Sequence, residues 1–417
     1  MSRSTAVLAL VFAAVCALVS PVRAARDDVL LAAAQAAQPA LIETLRQLVS
    51  IESGSRDAAG LARVAELAAQ RLQALGAVVD RLPPAAGHGP MVQATFTGNG
   101  RRRFLLIGHL DTVYPAGTLA QQPWRIDGNR LHGPGIADDK GGVALILHAL
   151  ALLKDAGWRD FAQLTVLLNA DEEIGSIGSG ERLAQLGEQH DVVLSFEPTA
   201  AKDVTRREGV LLSAAGTATA VLEVRGRASH AGVAPDSGRN AFIELAHQVL
   251  QTQDVAKGVP GAQLNWTWAQ AGAIRNQIPD SASATADVRL LQADSAPRLE
   301  AALKARVAES RRVPDTEVSV RVIVGRPPYI ASERGRALAL KAQSLYAELD
   351  GRPLVLVPTT GGATDAGFAG RSGKPAVLEG LGLAGWNYHA RDEYIEIDSI
   401  VPRLYLAARL LIELGRE

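Results

Sequence analysis

Apolar residues recur with helical spacing through residues 27–49 and 58–75, the pattern of helices with one buried face. Short apolar runs then take over: "RRFLLIGHL" (102–110), "QLTVLLNA" (163–170) and "DVVLSFE" (191–197). Such runs suit strands buried on both faces of a parallel sheet. Between the first two lies "DDKGGVALILHALALLKDAG" (138–157), which reads as an amphipathic helix with acids at its start and glycine at its end. Strands alternating with helices predict a doubly wound α/β domain.

Near residue 213 the texture changes. "TATAVLEVRGRA" (217–228), "QLNWTWAQAG" (263–272), "SASATADVRLL" (281–291) and "EVSVRVIVG" (317–325) read as strands. Helical stretches at 240–253 and 296–310 fall between them, giving the β-α-β-β-α-β order of a ferredoxin-like α+β sandwich. After it, "KPAVLEGLG" (374–382) and a final helix (398–414) return to the α/β pattern. The predicted organisation is one α/β domain, 25–212 and 326–417, interrupted by a smaller α+β insert at 213–325.

Composition adds exclusions. The 417 residues are 47% hydrophobic and 21% charged, with a net charge of -1 and no long charge run. Neither nucleic acid nor an anionic membrane surface is an expected partner. At the N-terminus, Arg3 precedes an apolar run from Ala6 to Val19 and a small-residue exit at Val22-Arg23-Ala24. This is the pattern of a secretory signal peptide spanning 1–24, with the mature protein periplasmic or secreted. The run is shorter than the ~20 residues of a membrane span. Cys16 is the only cysteine, so cleavage would leave no thiol or disulfide chemistry.

Candidate chemistry gathers at strand ends. His109 and Asp111 close the first apolar run, Glu172 and Glu173 follow the second, and Glu197 ends the third. Asp138 and Asp139 open the intervening helix, and His389 lies beyond the strand at 375–379. In open α/β sheets the ligand crevice forms outside the carboxyl ends of the strands, so these residues can converge. Nitrogen and oxygen donors without cysteine suit one or two divalent ions such as Zn²⁺. Singly, each has a plainer use: His109 as a buried hydrogen-bonding histidine, Asp138 as a helix cap, Glu197 as a solvated strand end. Their joint placement at one sheet edge is what argues for a site. Asp111 can orient the His109 imidazole or make a loop hydrogen bond. The run Asp171-Glu172-Glu173 places three carboxylates side by side, and no lysine or arginine follows until Arg182. Such acids repel one another and need a positive partner. Neighbours on an extended stretch point to opposite sides, so Glu172 and Glu173 are expected to divide the work. Asp171 reads as the residue that holds their turn.

The motifs "GHLDTVYP", "GPGIADDKGG", "NADEEIGS", "SFEPT", "RGRASHAGVAPDSGRNA" and "NYHARDEY" resemble, in order, those of a family of two-zinc metallopeptidases. That family holds glutamate carboxypeptidases, aminoacylases, acetylornithine deacetylase and di- and tripeptidases, and the chain looks most like the first. The resemblance implies a zinc-peptidase domain with a mixed, mostly parallel sheet, and an insert serving as lid and dimerisation domain. It implies two Zn²⁺ per subunit, with Co²⁺ or Mn²⁺ as alternatives. Asp138 would bridge them; His109 and Glu197 would complete one site, Glu173 and His389 the other. Glu172 would be general base and acid. A cis peptide is implied at Asp138-Asp139. His230 would stabilise the oxyanion, often from the partner subunit of a homodimer. Asn276, Arg289 and the backbone near Gly361 and Gly362 would hold the substrate, with Ala363 standing where the family frequently has glycine. His88, His132, His148, His190 and His247 show no metal-partner pattern and are expected to be structural.

The expected activity is hydrolysis of an amide bond in a small peptide or N-acyl amino acid, releasing a C-terminal residue, plausibly glutamate. Deacylation of N-acyl amino acids and cleavage of di- and tripeptides are the alternatives within the family. From another class, an exported solute-binding protein would also have two α/β lobes. It would have no use for a carboxylate that binds no metal, so Glu172→Ala separates the two readings.

Overall fold

The computed structural model describes residues 25–83, 89–200 and 207–417. The segment 1–24, expected to be a signal peptide, and His88 lie outside the described residues. The chain opens with helix Asp28–Val49, whose Asp27 side chain accepts from the Leu30 N–H at 2.9 Å and so satisfies one of the orphan donors of the first turn. Its Leu41, Leu45 and Leu48 enter the core.

The central sheet has six strands in the order Val78–Leu82, Met91–Thr97, Gln163–Asn169, Arg103–His109, Val192–Ser195, Ala376–Leu378. The last four run parallel and the first two pair antiparallel. Register puts His109 opposite Asn169 and Ile107 opposite Ser195. The carboxyl ends of three ligand-bearing strands are thus level, which is what the convergence of their loops requires.

One element differs from the reading of its sequence. Helix Lys140–Asp155 is buried almost all round, from Lys140 through Leu147 and on to Leu153. It is sandwiched by the sheet and by helices Asp28–Val49 and Ile400–Gly415, so only its last turn keeps a polar face. A second, five-stranded sheet was not legible because its strands have two or three residues each. It pairs Arg125–Asp127, Arg130–His132, Tyr394–Glu396, Ala384–Trp386 and Thr199–Ala200. The loop between its strands Ala384–Trp386 and Tyr394–Glu396 carries His389.

The insert forms a separate antiparallel sheet in the order Ala262–Ala271, Ser281–Leu290, Gly216–Arg225, Glu317–Arg326. Helices Ala241–Thr252 and Ser295–Glu309 cover one face. Burial alternates along Ser281–Leu290, the period-2 signature of a sheet buried on one side. Leu222, Val224, Leu245, Val288, Leu299 and Leu303 form a core of their own, distinct from that of the α/β domain.

Candidate metal centre and active site

Asp138 does not cap the helix that follows it. Its loop is pinned from the His389 side by Glu393, whose carboxylate accepts from the N–H groups of Gly135 (2.8 Å), Ala137 (2.8 Å) and Asp138 (3.0 Å). The Asp138-Asp139 peptide is cis. Asp139 turns inward, fully buried, and accepts from the His109 N–H at 3.3 Å. That fit requires Gly142: a Cβ there would lie 2.2 Å from Asp139 Oδ1 and 2.2 Å from the Phe196 carbonyl oxygen.

The Asp138 carboxylate then faces two histidines. Its Oδ1 lies 2.9 Å from His109 Nε2, and its Oδ2 lies 3.2 Å from His389 Nε2. Glu197 Oε1 is 3.7 Å from His109 Nε2, and Glu173 Oε2 is 3.0 Å from His389 Nε2. Two groups of donors result, His109–Asp138–Glu197 and His389–Asp138–Glu173, sharing one carboxylate. Around a tetrahedral ion with bonds of about 2.0–2.1 Å, donors sit roughly 3.3 Å apart. The observed separations, 2.9–3.7 Å, bracket that spacing. Donor atoms of His109, Asp138 and Glu173 all lie within 4.8 Å of one another. The set is oxygen and nitrogen only, and it fits divalent ions.

Electrostatics make the same demand. Burial pushes the Glu173 and Glu197 carboxyls above the usual range, and the neighbouring Asp138 charge adds to it. Burial pushes Asp138 the same way, but its hydrogen bonds to His109 and His389 win and hold it low. Those bonds to Asp138 and Glu173 raise His389 to about 10. Burial opposes a charge on His109, yet Glu197, Asp111 and Asp138 together raise it well above its ordinary value. A cluster of buried acids around two imidazoles calls for positive charge, which divalent cations would supply.

The three acids of 171–173 have separate surroundings. Asp171 accepts from the Gly178 N–H (2.6 Å) and from the Ser179 N–H (3.2 Å) and hydroxyl (2.6 Å), so it ties the following turn. Asp111 accepts from the N–H groups of Glu172 (3.0 Å) and Glu173 (3.1 Å), while its carbonyl oxygen meets His109 Nδ1 at 3.0 Å. One aspartate thus sets both the imidazole and the glutamate turn. Glu172 faces neither histidine. Its Oε1 lies 2.5 Å from Nη1 of Arg326, and burial nevertheless pushes its pKa well above the carboxylate range.

Arg326 was missed by the sequence reading, which ended the insert at 325. It closes the strand Glu317–Arg326, is itself buried, and also donates to the Glu172 carbonyl and to Ser176 Oγ. Asp365 lies behind it, 3.7 Å from Nε, and accepts from Asn169 and Ser176. An arginine ending an alternating strand before Pro327-Pro328 was the available signal. The positive partner of the acid run comes from another domain, 154 residues away.

A cleft of about 480 Å³ joins these groups, lined by Asp138, Glu172, Glu173, Glu197, His389 and Arg326, with Arg289, Thr360, Gly362 and Ala363. Arg289 is half-exposed and paired with Asp287 at 2.9 Å. His230, Asn276 and Gly361 do not line it. His230 is exposed on the insert, its Nδ1 accepting from Gly232 and Val233, and the Asn276 carbonyl receives the Ala231 N–H beside it. Of the other histidines, His148 pairs with Thr44, His190 with Leu186 and Thr165, and His247 with Ser310. His132 is in a strand, not a loop, and packs against Tyr394.

Two donor groups sharing a carboxylate, beside a glutamate that belongs to neither, define a metal-dependent hydrolase. Residues 105–413 match peptidase family M20/M25/M40. The chain is 43% identical over 412 residues to carboxypeptidase G2 of Pseudomonas sp. (strain RS-16), covering 98% of this chain and 97% of that protein. Among solved structures, aminopeptidase PepT from Bacillus cereus superposes with a TM-score of 0.73 at 20% identity, covering 91% of this chain and 99% of that one. The YXEP protein of Bacillus subtilis, a dinuclear metal-binding peptidase, gives 0.63 at 15%, with 91% and 99% covered. The chain belongs to the M20 peptidase family and is an enzyme of the metallo-carboxypeptidase and amidohydrolase kind.

Proposed function

We propose that this enzyme hydrolyses the amide bond before a C-terminal acidic residue, glutamate in the first instance, in N-acyl or peptidyl substrates. The observation that carries this reading is the pair of guanidiniums, Arg289 and Arg326, in the same cleft as the metal donors and Glu172. Two arginine forks suit a leaving residue with two carboxylates. The similarity to carboxypeptidase G2 supports the same direction of cleavage.

Asp138 would be shared by two divalent ions, zinc on this donor set, with His109 and Glu197 on one and Glu173 and His389 on the other. When bound, such ions polarise the amide carbonyl and lower the pKa of water. The chain supplies the rest. Glu172, its pKa raised by burial, takes the proton from the attacking water and passes it to the leaving nitrogen. Arg326, which pairs with Glu172, lines the same cleft and would present its guanidinium to a substrate carboxylate there. His230 would donate to the oxyanion from the partner subunit of a homodimer, a reading supported by its exposure on the insert away from its own cleft. Export is supported by the apolar run Ala6 to Val19 and the exit at Ala24; among the described residues no helix is long and apolar enough to cross a membrane.

Metal content measured alongside hydrolysis of matched N-acyl-glutamate, N-acyl-glutamine and N-acyl-leucine tests the reading. Glutamate should be released fastest by one to two orders of magnitude, in keeping with charge pairs desolvated in a site. Full metal removal with hydrolysis unchanged, or equal rates on all three, would sink it.

A further inference from the structure

The donor groups have a second side. Glu173 lines the arginine-bearing cleft and also an adjoining hollow of about 560 Å³. The walls of this hollow are Val113, Tyr114, Pro115, Ala116 and Ile174, with Arg56 among its other residues. Val113 is 40% exposed, an apolar side chain left bare beside polar catalytic groups, as in small-molecule subsites.

The position of Arg56 is tied to the catalytic residues through the backbone. Ser55 N–H donates to the Thr112 carbonyl at 3.1 Å, and Thr112 N–H donates to that of Ser53 at 2.9 Å. Ser55 Oγ donates at 2.8 Å to Asp111, the residue that orients the Glu172–Glu173 turn. The acids near Arg56 are engaged elsewhere. Asp57 accepts from the Gly60 N–H at 2.9 Å, and Glu52 accepts from those of Gly117 (2.9 Å) and Leu119 (2.7 Å). Tyr114 is fixed by donating to the Ala390 carbonyl at 2.8 Å, next to His389. Among the described residues Arg56 has no hydrogen bond or ion pair. It is an exposed cation at the edge of an apolar hollow.

Glu173 lines both spaces, so an amide laid across the donors would have one on either side of it. The two arginines claim the C-terminal half on the reading above, on which this inference rests. We propose that the hollow is the acyl-side subsite, and that Arg56 selects acyl groups carrying a carboxylate or similar anion over uncharged groups of the same shape.

The test uses the metal-loaded, full-length enzyme with two isosteric substrates, N-acetyl-glutamyl-glutamate and N-acetyl-glutaminyl-glutamate. An exposed pair of this kind is worth about 3- to 5-fold, so wild type should favour the first by that factor in kcat/KM. Arg56→Gln should bring the ratio near one while leaving the glutaminyl substrate unchanged, and Arg56→Glu should invert it. High salt should erode the wild-type preference. A ratio indifferent to residue 56, or equal losses on both substrates, would overturn the proposal while leaving C-terminal release intact. If wild type cleaves neither substrate, the reading of C-terminal release fails first, and this one with it.

Discussion

The floor of the cleft and the insert that stands over it are built on opposite terms. On the floor the carboxylates that set the ligand loops are held by backbone N–H groups. Asp111 is held by the Glu172 and Glu173 N–H groups, Asp139 by that of His109, and Glu393 by three in the Asp138 loop. On the insert, His230 and Asn276 are exposed, and the residues beneath them pack into a core of their own. Arg326, Arg289 and Thr217 reach from it to the cleft. The floor is preorganised within one chain, as a metal centre requires.

The sharpest way to break that contrast is at Glu172, which belongs to the floor yet binds the insert's Arg326. Glu172→Gln should lower kcat by about 10²–10⁴-fold, the range of a positioned general base. Metal content, measured by mass spectrometry of the purified protein, should be unchanged. Loss of metal together with activity would make Glu172 a ligand and collapse the division between Glu172 and Glu173.

His230 tests the other side of the comparison. His230→Ala should lower kcat by about 10²–10³-fold, the range for an oxyanion donor. Mixing Glu172→Gln and His230→Ala subunits then asks where the histidine acts. If it serves the partner's cleft, half of the mixed dimers' sites are intact, and random exchange restores about a quarter of wild-type activity. No recovery on confirmed subunit exchange would place His230 over its own chain's cleft.

A smaller effect probes the floor alone. Asp111→Asn keeps shape but turns an N–H toward backbone donors that now find a carboxylate. Metal affinity should fall by about 10–100-fold, as when other outer partners of metal ligands are lost. Titration with a competing chelator measures it, and an unchanged affinity would mean that the floor is fixed without Asp111.

The same contrast explains what was legible in the sequence. His109, Asp138, Glu173 and Glu197 end strands or begin a helix in a parallel sheet, and level strand ends bring such residues together by rule. Glu172 and Glu173 could be separated in advance because neighbours on a chain diverge. His389 was found through its motif, yet the sheet that presents it was invisible: its two- and three-residue strands leave no periodicity to read. Arg326 escaped because its partner Glu172 is 154 residues away and in another domain. The stretch 138–157 was read as an amphipathic helix from the acids at its start and the glycine at its end, whereas burial is set by three neighbouring elements that no local window contains. His230 and Asn276 carry a motif, and the chain pairs their segments with each other, but nothing in their sequence shows which cleft they would face.

The smallest effect lies behind the floor, where His148 of the buried helix meets Thr44 Oγ1 at 2.8 Å, with Arg71 donating to the same hydroxyl at 2.9 Å. Burial, aided by the Arg71 charge, lowers this histidine to about 4. An unfolded chain would bind the proton near pH 6.5, so between those values the unfolded state holds more protons. Stability from this group is complete above pH 6.5 and is lost as pH falls toward 4. Between pH 7 and pH 5 the loss is on the order of 1–2 kcal/mol. His148→Gln, which cannot titrate, should flatten the pH dependence by that amount. Urea midpoints of the metal-free protein at the two pH values measure it, and taking the difference between variant and wild type cancels the protons that His109 and His389 carry in both. If the two proteins lose stability in parallel, acid sensitivity resides not in His148 but in carboxylates held low in the folded chain, such as Asp138, and the floor is held by its charges rather than by the packing beneath it.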